Sequence, residues 1–108
     1  MPVYNKLVRD LIPEVIEKTG KSFTSRILND GEYINELNKK AQEELAEYYN
    51  AKDQKEVVEE LADLLEVMHA MAQYHGTTMT EIERVREQKV MVRGGFKEKV
   101  LLIEVSDE

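Results

Sequence analysis

EELAEYYNAKDQKEVVEELAD, residues 43–63, carries one short pattern twice. Glu43-Glu44-Leu45-Ala46-Glu47 recurs sixteen residues later as Glu59-Glu60-Leu61-Ala62-Asp63. Around the first copy, Ile34, Leu37, Ala41, Leu45 and Tyr48 repeat at three- and four-residue steps, the period of a helix with one apolar face. The second copy opens a longer apolar run through Val57, Leu61, Leu64, Leu65, Met68, Met71 and Tyr74. Asn50-Ala51-Lys52 breaks the period, and Asp53 with Glu56 fits a capping box that restarts a helix. So short a break makes the two helices antiparallel neighbours.

The flanks fill in a mainly α fold. Pro13 suits a first helical turn, Val15 and Ile16 supply an apolar face, and Gly20 is the stop. Ser22 to Leu28, with Phe23 and Ile27, reads as a short strand or an extended connection. The helix after Asp53 is apolar around most of its circumference, with only a narrow stripe through Glu59, Glu66 and Gln73 suited to water. A chain this short has too few other helices to cover it, so a second copy is expected to do so, giving a helical-bundle oligomer. Gly76 ends that helix, and Thr80 with Glu83 fits another capping box for a shorter one running toward Met91. After Arg93-Gly94-Gly95, residues 96–105 (FKEKVLLIEV) favour β structure and are expected to pair with the segment near Phe23 and Ile27. The expectation is one domain over residues 1–108: an antiparallel helical hairpin, flanking short helices and a small β element.

Composition narrows the function. Hydrophobic residues make up 42% and charged residues 34%, which fits neither a disordered tail nor a membrane protein. The absence of cysteine excludes a disulfide scaffold and a thiol nucleophile. A net charge of −7 argues against binding a nucleic-acid polymer, which needs a basic surface. Met1-Pro2-Val3 leads into mixed-charge sequence without a basic-then-apolar run, so neither a secretory signal nor a spanning helix is expected, and a cytoplasmic location is.

The repeated acids carry the chemistry. At about 100° per residue, the first Glu of each copy points away from the apolar face, the second lies at its boundary, and the last acid follows one turn on. Glu44 and Glu47 form one pair, Glu60 and Asp63 the other. Glu44 and Glu60 lie roughly 10 Å from the intervening turn at ~1.5 Å per residue, so the pairs stand at similar height and can face each other. Most acidic pairs at such spacing are solvated helix faces. Here the matched phase of the two copies, and the continuation of the Glu60–Asp63 stripe as Val67, Ala70 and Tyr74, favour a groove. Four carboxylates gathered there repel unless neutralised. A ligand set of oxygens alone favours a hard cation, Mg²⁺ or Mn²⁺, which is usually completed by substrate phosphate. That points to phosphate-ester or pyrophosphate hydrolysis.

ExxE (Glu44, Glu47), a short turn and ExxD (Glu60, Asp63) resemble the signature of the MazG-like all-α nucleotide pyrophosphohydrolases. YNKLVRDLIP (Tyr4 to Pro13) and RGGF (Arg93 to Phe96) resemble a bacterial subgroup described as phosphoribosyl-ATP pyrophosphohydrolase-like. The chain departs from that subgroup at Val90-Met91-Val92, where charged residues are usual. The resemblance implies hydrolysis of a nucleoside triphosphate between its α and β phosphates, with Mg²⁺, by a homodimer or homotetramer. It implies Glu44, Glu47, Glu60 and Asp63 as metal ligands, with Glu43 a weaker candidate as outer-sphere group or base.

Several cations are candidates for substrate phosphate: Lys6, Arg9, Lys40, Lys89 and Arg93, with exposed salt bridges as the alternative role. His69 and His75 have no catalytic partner at suitable spacing and read as structural or surface residues. The first functional reading is a Mg²⁺-dependent nucleotide pyrophosphohydrolase, with house-cleaning of surplus nucleotides as its role. The alternatives are phosphoribosyl-ATP as substrate, and a non-enzymatic helical oligomer acting as a binding module.

Overall fold

A computed structural model describes residues 2–107. It contains four helices: α1 (Ile12–Lys18), α2 (Asp30–Tyr49), α3 (Gln54–Tyr74) and α4 (Met79–Arg93). The contacts divide the chain into two compact units, Met1–Gly76 and Thr77–Glu108.

In the first unit, α2 and α3 pack along each other as the expected hairpin. Their antiparallel sense shows in the rings at the open end, where Tyr33 near the start of α2 meets Tyr74 at the end of α3 edge-on, 6.1 Å between centroids. Leu37, Val67 and Ala72 are buried along the seam. α2 begins at Asp30, ahead of Ile34, the first apolar residue of the period, because Asn29 makes a reciprocal capping box with Glu32. The Asn29 side chain accepts from the Glu32 backbone N–H at 2.9 Å, and the Asn29 N–H donates back to Glu32 Oε1 at 3.2 Å. Arg26 adds a two-pronged contact to the same carboxylate, and together these hold the Glu32 carboxyl down at about 2.

The cap expected at Asp53 is present in altered form. The Asp53 side chain accepts from the Glu56 N–H at 2.8 Å, while Glu56 Oε2 accepts from the N–H of Lys52, one residue before the cap. The same carboxylate thus fixes both the turn and the first coil of α3, which sets the register of α3 against α2. Gly76 follows the end of α3 with a φ of 77°, which glycine adopts freely.

Two expectations are corrected. The small β element is absent: no strand occurs among the described residues, neither near Phe23 and Ile27 nor over 96–105. Ile27 and Phe96 are almost fully exposed, and Val100 to Ile103 are exposed as well. β-favouring composition expresses itself only where a paired, half-buried surface receives it, and a lone two-stranded element is marginal in water. The cap of α4 is also displaced. The sequence contains T-x-x-E in two overlapping frames, Thr78 to Glu81 and Thr80 to Glu83, and the earlier frame is used. The Thr78 hydroxyl accepts from the Glu81 N–H at 3.1 Å, leaving Thr80 inside the helix.

α3 keeps an uncovered stripe. Val58, Leu61, Leu65 and Met68 follow one another along one side of the helix and stay substantially exposed in the single chain. No described helix is long and apolar enough to cross a membrane.

The capping frame of α4 is directly testable. Thr78→Ala should remove about 1 kcal/mol of local stability and so lower hydrogen-exchange protection in the first turn of α4 about fivefold. Thr80→Ala should leave that protection nearly unchanged. The reverse order would restore the later frame.

Candidate metal centre

Close packing of α2 and α3 near their connecting turn presses acids together. Glu44 and Glu47 stand one turn apart on α2, and Glu60 faces them from α3. Each offers a carboxylate oxygen, and the three oxygens lie within 4.8 Å of one another. Glu44 is only 6% exposed, Glu60 is half-buried and Glu47 opens to solvent. One oxygen of Glu44 and one of Glu60 are enclosed with no hydrogen-bond partner. Enclosed carboxylate oxygens without partners are costly, and the cost falls only if a proton or a cation arrives.

In the metal-free chain the proton does this work. Glu60 is pushed up to about 7, first by sharing a hydrogen bond with Glu47, then by burial and by the charges of Glu47, Asp63 and Glu44. Glu44 is also raised, chiefly by burial and then by Glu47. Glu44 and Glu60 are thus both raised by the acids packed around them. The donor set is all oxygen, two oxygens lack partners, and one side stays open to water. This fits a hard divalent cation that retains water ligands.

Asp63, the fourth acid of the repeat, lies near enough for its charge to raise Glu44 and Glu60, but its own bond is elsewhere. Arg9 donates to Asp63 Oδ1 at 2.7 Å, across 54 residues of chain. Lys6, on the same N-terminal segment, donates to Glu43 Oε1 at 2.6 Å and holds that carboxyl below its ordinary value. Glu43 is thus half-buried and doubly engaged, since Lys40 also reaches it at 3.5 Å. Glu43 thus anchors the N-terminal segment to α2 through Lys6. Lys40 lies 3.7 Å from Glu44 Oε1 as well, tying the anchor to the acidic cluster.

The remaining sequence candidates are placed as follows. Lys89 and Arg93 lie on α4 in the second unit, both exposed. His69 and His75 are exposed, and His75 meets the Tyr74 ring edge-on. One residue escaped the sequence reading: Lys39, which shares the Glu36–Lys40–Glu43 face of α2 and pairs with Glu36 at 3.3 Å. Its signal was its place at i+3 from Glu36 and one residue before Lys40, a helical stripe that the acids beside it overshadowed.

The cluster predicts an unusual pH dependence. A carboxyl whose pKa rises on folding stabilises the folded chain at low pH, and that contribution is lost as pH climbs from its ordinary value toward the folded one. For Glu60 the loss runs from 4.5 to about 7. Glu32, Glu43, Glu81 and Glu83 are held low and act in the opposite sense, losing stability only as pH falls below their ordinary value. Metal-free protein should therefore melt at lower temperature at pH about 8 than at pH about 5.5, and Mg²⁺ should restore the difference at the higher pH. Glu60→Gln should flatten the profile and abolish the Mg²⁺ shift. A wild-type melting point indifferent to both pH and Mg²⁺ would show that the acids are not gathered.

Residues 4–89 match the family model described as phosphoribosyl-ATP pyrophosphohydrolase. The match runs from Tyr4 in the N-terminal segment through both acidic pairs and most of α4. No curated protein and no solved structure matches the chain. With most of its length in that match and a carboxylate cluster able to hold a metal, the chain belongs to the phosphoribosyl-ATP pyrophosphohydrolase family, one of the MazG-like all-α pyrophosphohydrolases.

Proposed function

We propose that the chain is a Mg²⁺-dependent nucleotide pyrophosphohydrolase that cleaves the α–β anhydride of a nucleoside triphosphate to the monophosphate and pyrophosphate. The observation that carries this is the pair of enclosed, partnerless oxygens on Glu44 and Glu60 beside the open Glu47. Such a set serves a cation, with Mn²⁺ as the substitute for Mg²⁺. A non-enzymatic helical module would have no use for that cost.

When bound, the cation neutralises phosphate oxygens and acidifies a nearby water. Glu44, Glu47 and Glu60 would hold it, and Asp63, now bonded to Arg9, would be the fourth ligand. Glu47, the most exposed of the three, is placed to take the proton from the attacking water. The new bond forms between that water's oxygen and the α-phosphorus, and the bond from the α-phosphorus to the bridging oxygen breaks with its electrons on pyrophosphate. Glu43 positions Lys6 and Lys40. Lys6, Arg9 and Lys40 offset the phosphate charge.

The uncovered stripe of α3 supports a homodimer or homotetramer, and sedimentation over a range of concentrations reads this: a single-chain mass throughout would exclude it. A second reading, phosphoribosyl-ATP as the substrate, is favoured by the family description. Both substrates carry the same triphosphate, so the carboxylates serve either.

Pyrophosphate release from a panel of nucleoside triphosphates and phosphoribosyl-ATP tests the proposal. Release should require Mg²⁺ and fall at least about 100-fold in Glu60→Gln that keeps its helix content. Full activity in that variant, or turnover in excess chelator, would remove the assignment. The preferred member of the panel decides between the two substrates.

A further inference from the structure

A cleft of about 260 Å³ opens between the N-terminal segment and α2, beside the acidic cluster. Its walls include Tyr4, Lys6, Lys39, Lys40, Glu36 and Glu43. In a chain of net charge −7, this is a local surplus of cations, three ammoniums against two carboxylates. The pairing inside it is incomplete. Lys6 and Lys40 share Glu43, and Lys39 has only Glu36, at 3.3 Å, while itself being 76% exposed. Lys40 borrows Glu44 at 3.7 Å. A cation held by Glu44 would compete with that contact and leave Lys40 freer to meet phosphate in the cleft.

We infer that this cleft is the seat of the substrate's terminal phosphates, and hence of the leaving pyrophosphate. The inference rests on the pyrophosphohydrolase reading and says which side of the cluster the chain of phosphates takes. Lys40 belongs to both the cleft wall and the cluster's edge, so a triphosphate with its α-phosphate at the carboxylates enters the cleft with its β- and γ-phosphates. The ammoniums there meet the charge that grows on pyrophosphate as the α–β bond breaks. The N-terminal segment supplies one of them, Lys6, from a turn in which Asn5 takes a left-handed φ of 46°. Tyr4 lies at the rim, three-quarters exposed. This arrangement selects for a triphosphate, since a diphosphate leaves Lys39 with Glu36 alone.

Lys39 is the residue to change, because its salt-bridge partner is the half-buried Glu36 on its own helix, and neither belongs to the three-carboxylate cluster. The assays are inhibition of hydrolysis by inorganic pyrophosphate and by nucleoside monophosphate, and calorimetric titration of inorganic pyrophosphate with Mg²⁺ present. Lys39→Gln should weaken pyrophosphate about tenfold in both measurements. Monophosphate inhibition should stay constant, and Lys39→Arg should bind pyrophosphate like the wild type. Equal losses for both products, or no loss for pyrophosphate, would overturn the inference while hydrolysis itself left the parent reading standing. A changed base preference with unchanged pyrophosphate binding would likewise overturn it, assigning the cleft to the other end of the nucleotide. Pyrophosphate binding that depends on Lys39 in a protein that hydrolyses nothing would uphold the cleft and remove the enzyme reading.

Discussion

Three carboxylate oxygens held within 4.8 Å of one another, two of their side chains wholly or partly buried, set the terms for the whole first unit. Left charged and alone they would push α2 and α3 apart where those helices lie closest to their turn. The chain answers with protons and with cations of its own. Glu60 holds a proton up to about 7, Lys40 leans on Glu44, and the N-terminal segment brings Lys6 and Arg9 to the neighbouring acids Glu43 and Asp63. One oxygen of Glu44 and one of Glu60 still lack a partner, so the cluster could hold a metal ion.

The supporting architecture is correspondingly plain. Asn29 and Asp53 start α2 and α3 at fixed residues, and Glu56 ties the turn between them to the second helix. With both starts fixed and few residues between them, the phase of Glu44 and Glu47 against Glu60 is no longer free. Helix length does the rest: Tyr33 and Tyr74 close the far end, and the small buried seam of Leu37, Val67 and Ala72 keeps the axes together. So thin a seam sits beside an exposed stripe at Val58, Leu61, Leu65 and Met68, which is the physical reason to expect a further copy against α3.

The hairpin and its acidic repeat were legible in the sequence because helical periodicity is local and regular. Two copies of one pattern, in the same phase with their apolar faces and equally far from one turn, constrain each other. Contacts set by distant parts of the chain were not legible in that way. Nothing local to Asp63 announces Arg9, 54 residues earlier, and nothing near Glu43 announces Lys6. Residues 96–105 failed as a strand for the same reason, since β propensity states what a segment would do if a partner edge were offered. The start of α4 failed for a different one: two overlapping frames satisfy one capping rule, and the rule cannot rank them. Lys39 was missed because an exposed lysine beside an acid is ordinary until a cleft is seen beneath it.

The most direct measurement is anomalous diffraction from crystals soaked in Mn²⁺ at pH about 8, above the value of about 7 to which Glu60 is raised. The account predicts an anomalous peak coordinated by Glu44, Glu47 and Glu60, with the Arg9 guanidinium drawn away from Asp63. Crystals that take up Mn²⁺ only at other acids, leaving these three carboxylates without a shared ion, would contradict it.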